Sequence, residues 1–120
     1  ELQNGGLQEG SYTTALQAGP RLIANGAAVK SLDSQGASRR SGVAIQRDGS
    51  IIFFATLLRF PGATLPEIQE MLLSYDIQDA INFDGGGSSQ LFVNLASEGK
   101  EETLISGGDL IPVALVAVRK

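Results

Sequence analysis

The stretch Asp79-Ala-Ile-Asn-Phe-Asp-Gly-Gly-Gly-Ser-Ser-Gln-Leu-Phe-Val93 constrains the fold of this chain more than any other. An alternating apolar run (Ala80, Ile81, Phe83) ends in an acid, three glycines and two serines, and a second alternating run from Gln90 to Val93 follows at once. Alternation of this kind reads as strand, because successive side chains of a strand face opposite ways. Glycine loses more conformational freedom on folding than any other residue. Three in succession inside a packed domain therefore imply a backbone that takes φ > 0 or admits a close neighbour. The stretch predicts strand, tight glycine turn and strand, with the Asp84 carboxylate held at the mouth of the first strand.

Hairpin signals surround it. Residues 1–12 are polar and glycine-rich and read as a loop or frayed start, and residues 13–120 as one domain. Thr13–Ala18 has strand character and stops at Gly19-Pro20. Arg21–Ala24 and Ala27–Val29 flank Asn25-Gly26, a strong signal for a two-residue hairpin turn. Lys30–Ser38 is polar and reads as a loop. Ser41–Gln46 and Ser50–Thr56 form a second hairpin around Asp48-Gly49, and Ile51–Ala55, apolar on both faces, reads as a central strand. The chain then leads out through Pro61-Gly62 to Thr64-Leu-Pro-Glu67, a capping box. Behind it Leu65, Ile68, Met71, Leu72 and Tyr75 recur at helical spacing and predict an amphipathic helix over about 64–75. Met71, Tyr75 and Phe53 are expected in the core. Asn94–Thr103 reads as a surface loop or hairpin tip, Leu104-Ile105 as a short strand, and Leu110–Val118 as a buried strand that closes the sheet. Many hairpins and one clear helix predict an α+β domain with a mainly antiparallel or mixed β-sheet.

With 120 residues and 42% apolar side chains the chain supports one core. The net charge of −4 argues against a nucleic-acid-binding face, which needs an excess of cations. Without Cys or His there is no thiol nucleophile, no Cys/His zinc site and no Ser-His-Asp triad within the chain. No apolar run is long enough to span a bilayer as a helix. No spacing of ligands argues for a metal, and no motif for another cofactor. Localisation is left open by composition.

The segment Asp84-Gly85-Gly86-Gly87-Ser88-Ser89 lacks the Gly-Lys-Ser/Thr of a phosphate-binding P-loop and the last glycine of a dinucleotide fingerprint. Successive N–H groups in such a turn can still form an anion-binding concavity, with Ser88 and Ser89 adding hydroxyls and Asp84 a base, nucleophile or sugar-hydroxyl acceptor. The plainer alternative is a tight corner stabilised by Asp84 itself. Arg39-Arg40, entering a strand from a flexible loop, offers a bidentate clamp for phosphate or carboxylate, or else a solvated loop charge. Gln17-Ala-Gly-Pro20 and Gly107-Gly108-Asp109 read as structural bends.

Taken in order, Gln17-Ala-Gly-Pro-Arg-Leu-Ile23 with Asn25-Gly26, Arg40-Ser-Gly-Val-Ala-Ile45 with Asp48-Gly49, the capped helix, and Asp79–Ser89 resemble the phosphodiester glycosidase family, whose bacterial members are often exopolysaccharide-related. The resemblance runs from about Ala15 to Val118, and Asn82-Phe83-Asp84-Gly85-Gly86-Gly87-Ser88 is its most specific part. It implies hydrolysis of a sugar-1-phosphodiester, of the N-acetylglucosamine-1-phosphodiester kind, with Asp84 and Arg40 as catalytic residues. Gly85, Gly86, Gly87, Ser88, Ser89, Asn82, Gln17 and Arg39 would contact a sugar-phosphate or polysaccharide substrate. The resemblance also favours a secreted or cell-envelope location. Ala44 replaces the family's usual glycine. Nothing before Thr13 matches the family's N-terminal motif, since Asn4-Gly5-Gly6 lacks its aromatic residue. The chain is therefore expected to be the later part of the domain, with a cleaved segment, a second chain or a homo-oligomeric copy completing the site, or with the site incomplete. A two-carboxylate mechanism would need Asp109 or a residue outside this chain. The competing expectation is a non-catalytic carbohydrate- or phosphate-binding module of a cell-envelope, exopolysaccharide-related or phage-associated protein.

Overall fold

Asn25 (φ 52°) and Gly26 (φ 77°) both take the left-handed conformation that a two-residue hairpin turn with the twist of its strands requires. They join β1 (Arg21–Ala24) to the short β2 (Ala27–Ala28), as the Asn-Gly pair predicts. The computed structural model describes residues 14–32, 36–57, 61–95 and 99–118; the expected loop over 1–12 lies outside them. The second hairpin joins β3 (Ser41–Gln46) and β4 (Ile51–Ala55). Asp48 Oδ1 accepts the Ser50 N–H at 2.9 Å to tighten its turn, which holds the Asp48 carboxyl below its usual range.

The helix α1 (Leu65–Leu73) starts where the capping box places it. Thr64 Oγ1 accepts the Glu67 N–H, and the Glu67 carboxylate accepts the Thr64 N–H at 2.7 Å. These bonds hold the Glu67 carboxyl below its usual range. After α1 come β5 (Ile77–Asn82), a 3-10 turn (Gly86–Ser88), β6 (Leu91–Leu95) and β7 (Lys100–Ile105).

The main sheet is five-stranded and antiparallel throughout, in the order β2-β1-β5-β3-β4. The fold is thus α+β, as expected. The strand that leads into the glycines, β5, is the middle one, paired with β1 on one side and β3 on the other. Leu22, Ile23, Ala44, Ile77 and Ala80 of the sheet pack against Leu65, Ile68 and Leu72 of α1. Ala44 and Ala80 are cross-strand partners, so the helix rests on small side chains at the sheet's centre.

Several expectations are corrected. β4 is an edge strand rather than a central one: Ile52 and Phe54 pack against the core, while Ile51 is exposed. Phe53 is only half-buried, sharing with Val43 and Ile81 the face turned from Ala44 and Ala80. Met71 (43% exposed) and Tyr75 (55%) stand outside the core, because the flat alanine surface is covered by the narrow stripe Leu65, Ile68 and Leu72 alone. Residues 14–18 and Leu110–Val118 are not strands. Neither segment has a ladder partner among the described strands, and Pro112 removes a donor from the second, whose apolar side chains are exposed. Conversely, β6 and β7 form a longer hairpin than Leu104-Ile105 suggested.

Candidate active site

Because β5 is central, its C-terminal end delivers Asn82, Phe83 and Asp84 to a place walled on both sides. The Asn82 N–H donates to the Pro20 carbonyl at 2.9 Å, and the Phe83 N–H to the Ser41 carbonyl at 2.7 Å. The main chain then turns at Asp84, whose carbonyl accepts the hydroxyls of Ser41 (3.3 Å) and Ser89 (3.2 Å). Ser89, fully buried, pins the turn from within. The Asp84 side chain is exposed, and its Oδ1 accepts the Gly85 N–H at 2.8 Å.

Each of the three glycines answers a different demand. A Cβ on Gly85 would lie 2.9 Å from the Arg39 carbonyl oxygen and 3.5 Å from Arg40 Nη1. Gly86 has φ +61°, and its N–H donates to the Arg39 carbonyl at 3.0 Å. At Gly87 a Cβ would stand 2.5 Å from Asp109 Oδ2, so the Asp109 carboxylate lies against its bare Cα. The run therefore combines two close fits, Gly85 to the arginine pair and Gly87 to Asp109, with one left-handed backbone at Gly86.

Arg40 is 6% exposed. Its Nε donates to the Ala63 carbonyl at 3.1 Å and its Nη2 to the Gly36 carbonyl at 2.9 Å, which leaves Nη1 on the side of Gly85. Arg39 is 9% exposed, with Nη1 donating to the Ser106 carbonyl at 2.8 Å. Among the described residues, Arg21 and Arg47 are paired with Asp79 and Asp76, whereas neither Arg39 nor Arg40 has a carboxylate partner. Taking a guanidinium out of water without a counter-charge costs free energy that hydrogen bonds to neutral carbonyls only partly offset. Both guanidinium groups are held by neutral carbonyls, those of Gly36 and Ala63 for Arg40 and that of Ser106 for Arg39. The Asn82 side-chain amide donates to the Phe83 carbonyl, and its Oδ1 is buried without a hydrogen-bond partner among the described residues.

A cleft of about 1010 Å³ opens here. Of the expected site residues, Arg40, Asn82, Asp84, Gly85 and Gly86 line it. Arg39, Gly87, Ser88 and Ser89 are not among its lining residues, and Gln17 is exposed on the chain leading to Gly19 and Pro20, which do line it. Two contributions escaped the sequence reading. Ser41 props the Asp84 carbonyl, and Val29, Leu32 and Leu65 give the cleft an apolar wall. Leu65 reads from the sequence as a plain core position of the helix, and nothing in its spacing marks it as facing a cleft.

Among the described residues no three carboxylates gather to hold a metal ion, and no helix is long and apolar enough to cross a membrane. A solved structure described as a hypothetical protein from Synechocystis is similar to this chain, at 34% identity and a TM-score of 0.53. The match covers 61% of this chain and 16% of that one, so the chain spans a small part of its length. No functionally curated protein matches. The family model for phosphodiester glycosidases matches residues 1–117, taking in β1 to β7 and the glycine turn at the cleft. The chain belongs to the phosphodiester glycosidase family.

Proposed function

We propose that the chain carries the catalytic face of a hydrolase that cleaves a sugar-1-phosphodiester to free sugar and a phosphomonoester. The observation that carries this reading is Arg40, a buried guanidinium without a carboxylate partner among the described residues, set beside Gly85 at the cleft. Its two carbonyl bonds fix the plane of the guanidinium, so Nη1 is oriented in advance for a phosphate oxygen.

The phosphomonoester leaves as an anion of low basicity, so the site needs positive charge for it more than a strong general acid. Asp84 is the carboxylate among the described residues that line the cleft. It takes the proton of a water whose oxygen attacks the anomeric carbon; the bond from that carbon to the phosphate oxygen breaks, and its electron pair leaves on the phosphomonoester beside Arg40. The Gly85 N–H holds Asp84 Oδ1, which fixes the carboxylate while Oδ2 faces the water. Asn82 offers a sugar hydroxyl its Oδ1 acceptor. Gly86, Gly87, Ser88 and Ser89 shape the turn, and Gln17 stands at the approach to the cleft.

The test is release of free sugar from a chromogenic N-acetylglucosamine-1-phosphodiester. Asp84→Asn should abolish turnover, and Arg40→Ala should lower kcat by about 100-fold or more, the scale of losing one preorganised donor to developing negative charge. Full activity in both variants would overturn the assignment. Binding of N-acetylglucosamine-1-phosphate by the wild-type chain without turnover would replace it with the binding-module reading.

A further inference from the structure

Arg39 and Arg40 are neighbours, and extended backbone sends neighbouring side chains to opposite sides. Arg40 reaches the Gly36 and Ala63 carbonyls on the cleft side, while Arg39 reaches Ser106, just past the end of β7. We propose that Arg39 is a positioning residue of the candidate active site, holding the glycine turn from two directions at once. Its catalytic consequence rests on the function proposed above.

The first hold is through the main chain. The Arg39 carbonyl accepts the Gly86 N–H at 3.0 Å and is the atom that a side chain at Gly85 would meet. The second is through the side chain. Arg39 Nη1 donates to the Ser106 carbonyl at 2.8 Å, which anchors the turn over residues 106–109. That turn closes on the glycines: the N–H groups of Gly108 (3.0 Å) and Asp109 (3.3 Å) both donate to the Gly87 carbonyl. The Asp109 carboxylate lies against the Gly87 Cα, and Gln90 Nε2 donates to the Asp109 carbonyl at 2.8 Å. Gly107 completes the latch, since a Cβ there would collide with the Gly87 carbonyl and the Gln90 side chain. One arginine thus fixes Gly86 from the sheet side and Gly87 from the β7 side, and Asp84 and Gly85 ride on the turn between. Its guanidinium, with neither a hydrogen-bond partner for its buried Nε nor a carboxylate in ion-pair range among the described residues, also adds positive potential behind the turn.

The test compares Arg39→Met, Arg39→Lys and Gln90→Ala in the full chain. Two readouts are used: steady-state kinetics on the chromogenic phosphodiester, and amide resonances of Gly86, Gly87 and Gly108. Arg39→Met should lower kcat about tenfold or more, as a small displacement of a reacting group does. KM should stay within about twofold, because no substrate contact is removed. Its Gly87 and Gly108 amides should shift while those of Ile23 and Ala80 stay in place. Arg39→Lys should recover part of the rate by keeping a donor for Ser106. Gln90→Ala, at an exposed site that does not threaten folding, should move the same two glycine amides and lower kcat less. A rise in KM at unchanged kcat would make Arg39 a substrate contact and overturn the proposal, as would unmoved glycine amides in all three variants. If the wild-type chain turns over no phosphodiester, the proposed function fails alone, and the amide resonances still decide whether Arg39 holds the turn.

Discussion

Alanine substitution along the glycine run separates the reasons for its three members, and Gly86→Ala gives the cleanest sign. At a position with negative φ, Gly→Ala stabilises a protein by about 0.4–1 kcal/mol, because the unfolded chain has fewer conformations to lose. Gly86 sits at φ +61°, and the space around its missing Cβ is open, with Ser38 Oγ at 4.0 Å as the nearest atom. No contact is gained or broken, so the left-handed backbone alone should decide, at a cost of about 1–2 kcal/mol. The two outcomes thus differ in sign. Urea unfolding followed by circular dichroism resolves them: with a slope of about 1–3 kcal/mol/M for a small domain, the midpoint should fall by roughly half a molar or more. Gly86→Asn should lose less, because asparagine tolerates this conformation better. Gly85→Ala should also destabilise, by about 1–3 kcal/mol as overpacking does, since its Cβ meets a main-chain carbonyl that cannot swing aside. Gly85→Ala should in addition weaken phosphate binding through its contact with Arg40 Nη1, while Gly86→Ala, pointing into open space, should leave binding near wild type. A Gly86→Ala protein as stable as the parent, or more so, would refute the argument from backbone conformation.

Two further outcomes bear on the frame that carries the site. Thr64→Ala should destabilise the domain by about 1 kcal/mol through loss of the α1 cap. Because the Thr64 N–H and hydroxyl hold the Glu67 carboxyl below its usual range, the stability from that bond is present at neutral pH and is lost as pH falls through the lowered pKa. The gap between wild type and Thr64→Ala in thermal melts should therefore shrink in acid, and a gap that widens would contradict the capping box. Leu72→Ala removes a side chain that is 2% exposed between α1 and the sheet, and should cost about 2–5 kcal/mol in urea unfolding; a loss below 1 kcal/mol would mean that α1 is not packed on the sheet as described.

What could be read from the sequence was local. The Asn25-Gly26 turn, the Asp48-Gly49 hairpin and the Thr64/Glu67 capping box each depend on residues a few positions apart, and each formed where its residues predict. Strand order depends on pairings between distant segments, which no local pattern encodes. Ile51–Ala55 has the composition of a central strand yet lies at the edge, because β5, closing a long connection through α1, takes the place between β1 and β3. Leu110–Val118 shows the same limit from the other side: nine residues of strand-like composition make no strand without a neighbour to pair with among the described strands. The site divides along the same line. Asp84 and its glycines were legible because their composition is costly to maintain without a reason. That Arg40 would line the cleft and Arg39 would not depends on one residue of register at the entry to β3.

That register also explains how adjacent buried cations can coexist. Placed on one side, Arg39 and Arg40 would repel each other at short range in a medium that screens poorly. On opposite sides, the chain and the glycine turn lie between them, and each guanidinium meets carbonyl oxygens of its own: Gly36 and Ala63 for Arg40, Ser106 for Arg39. Carbonyls are neutral acceptors, so these hydrogen bonds hold each guanidinium in place without a carboxylate partner among the described residues, and in the function proposed above that charge is what attracts an anion. An aspartate in place of those carbonyls, as Asp79 serves Arg21, would compensate the charge and weaken the phosphate binding proposed above. The glycine run follows from the same arrangement. With the Arg39 carbonyl and Arg40 Nη1 both close to Gly85, only a bare Cα can pass between the two arginines and still present Asp84 to the cleft.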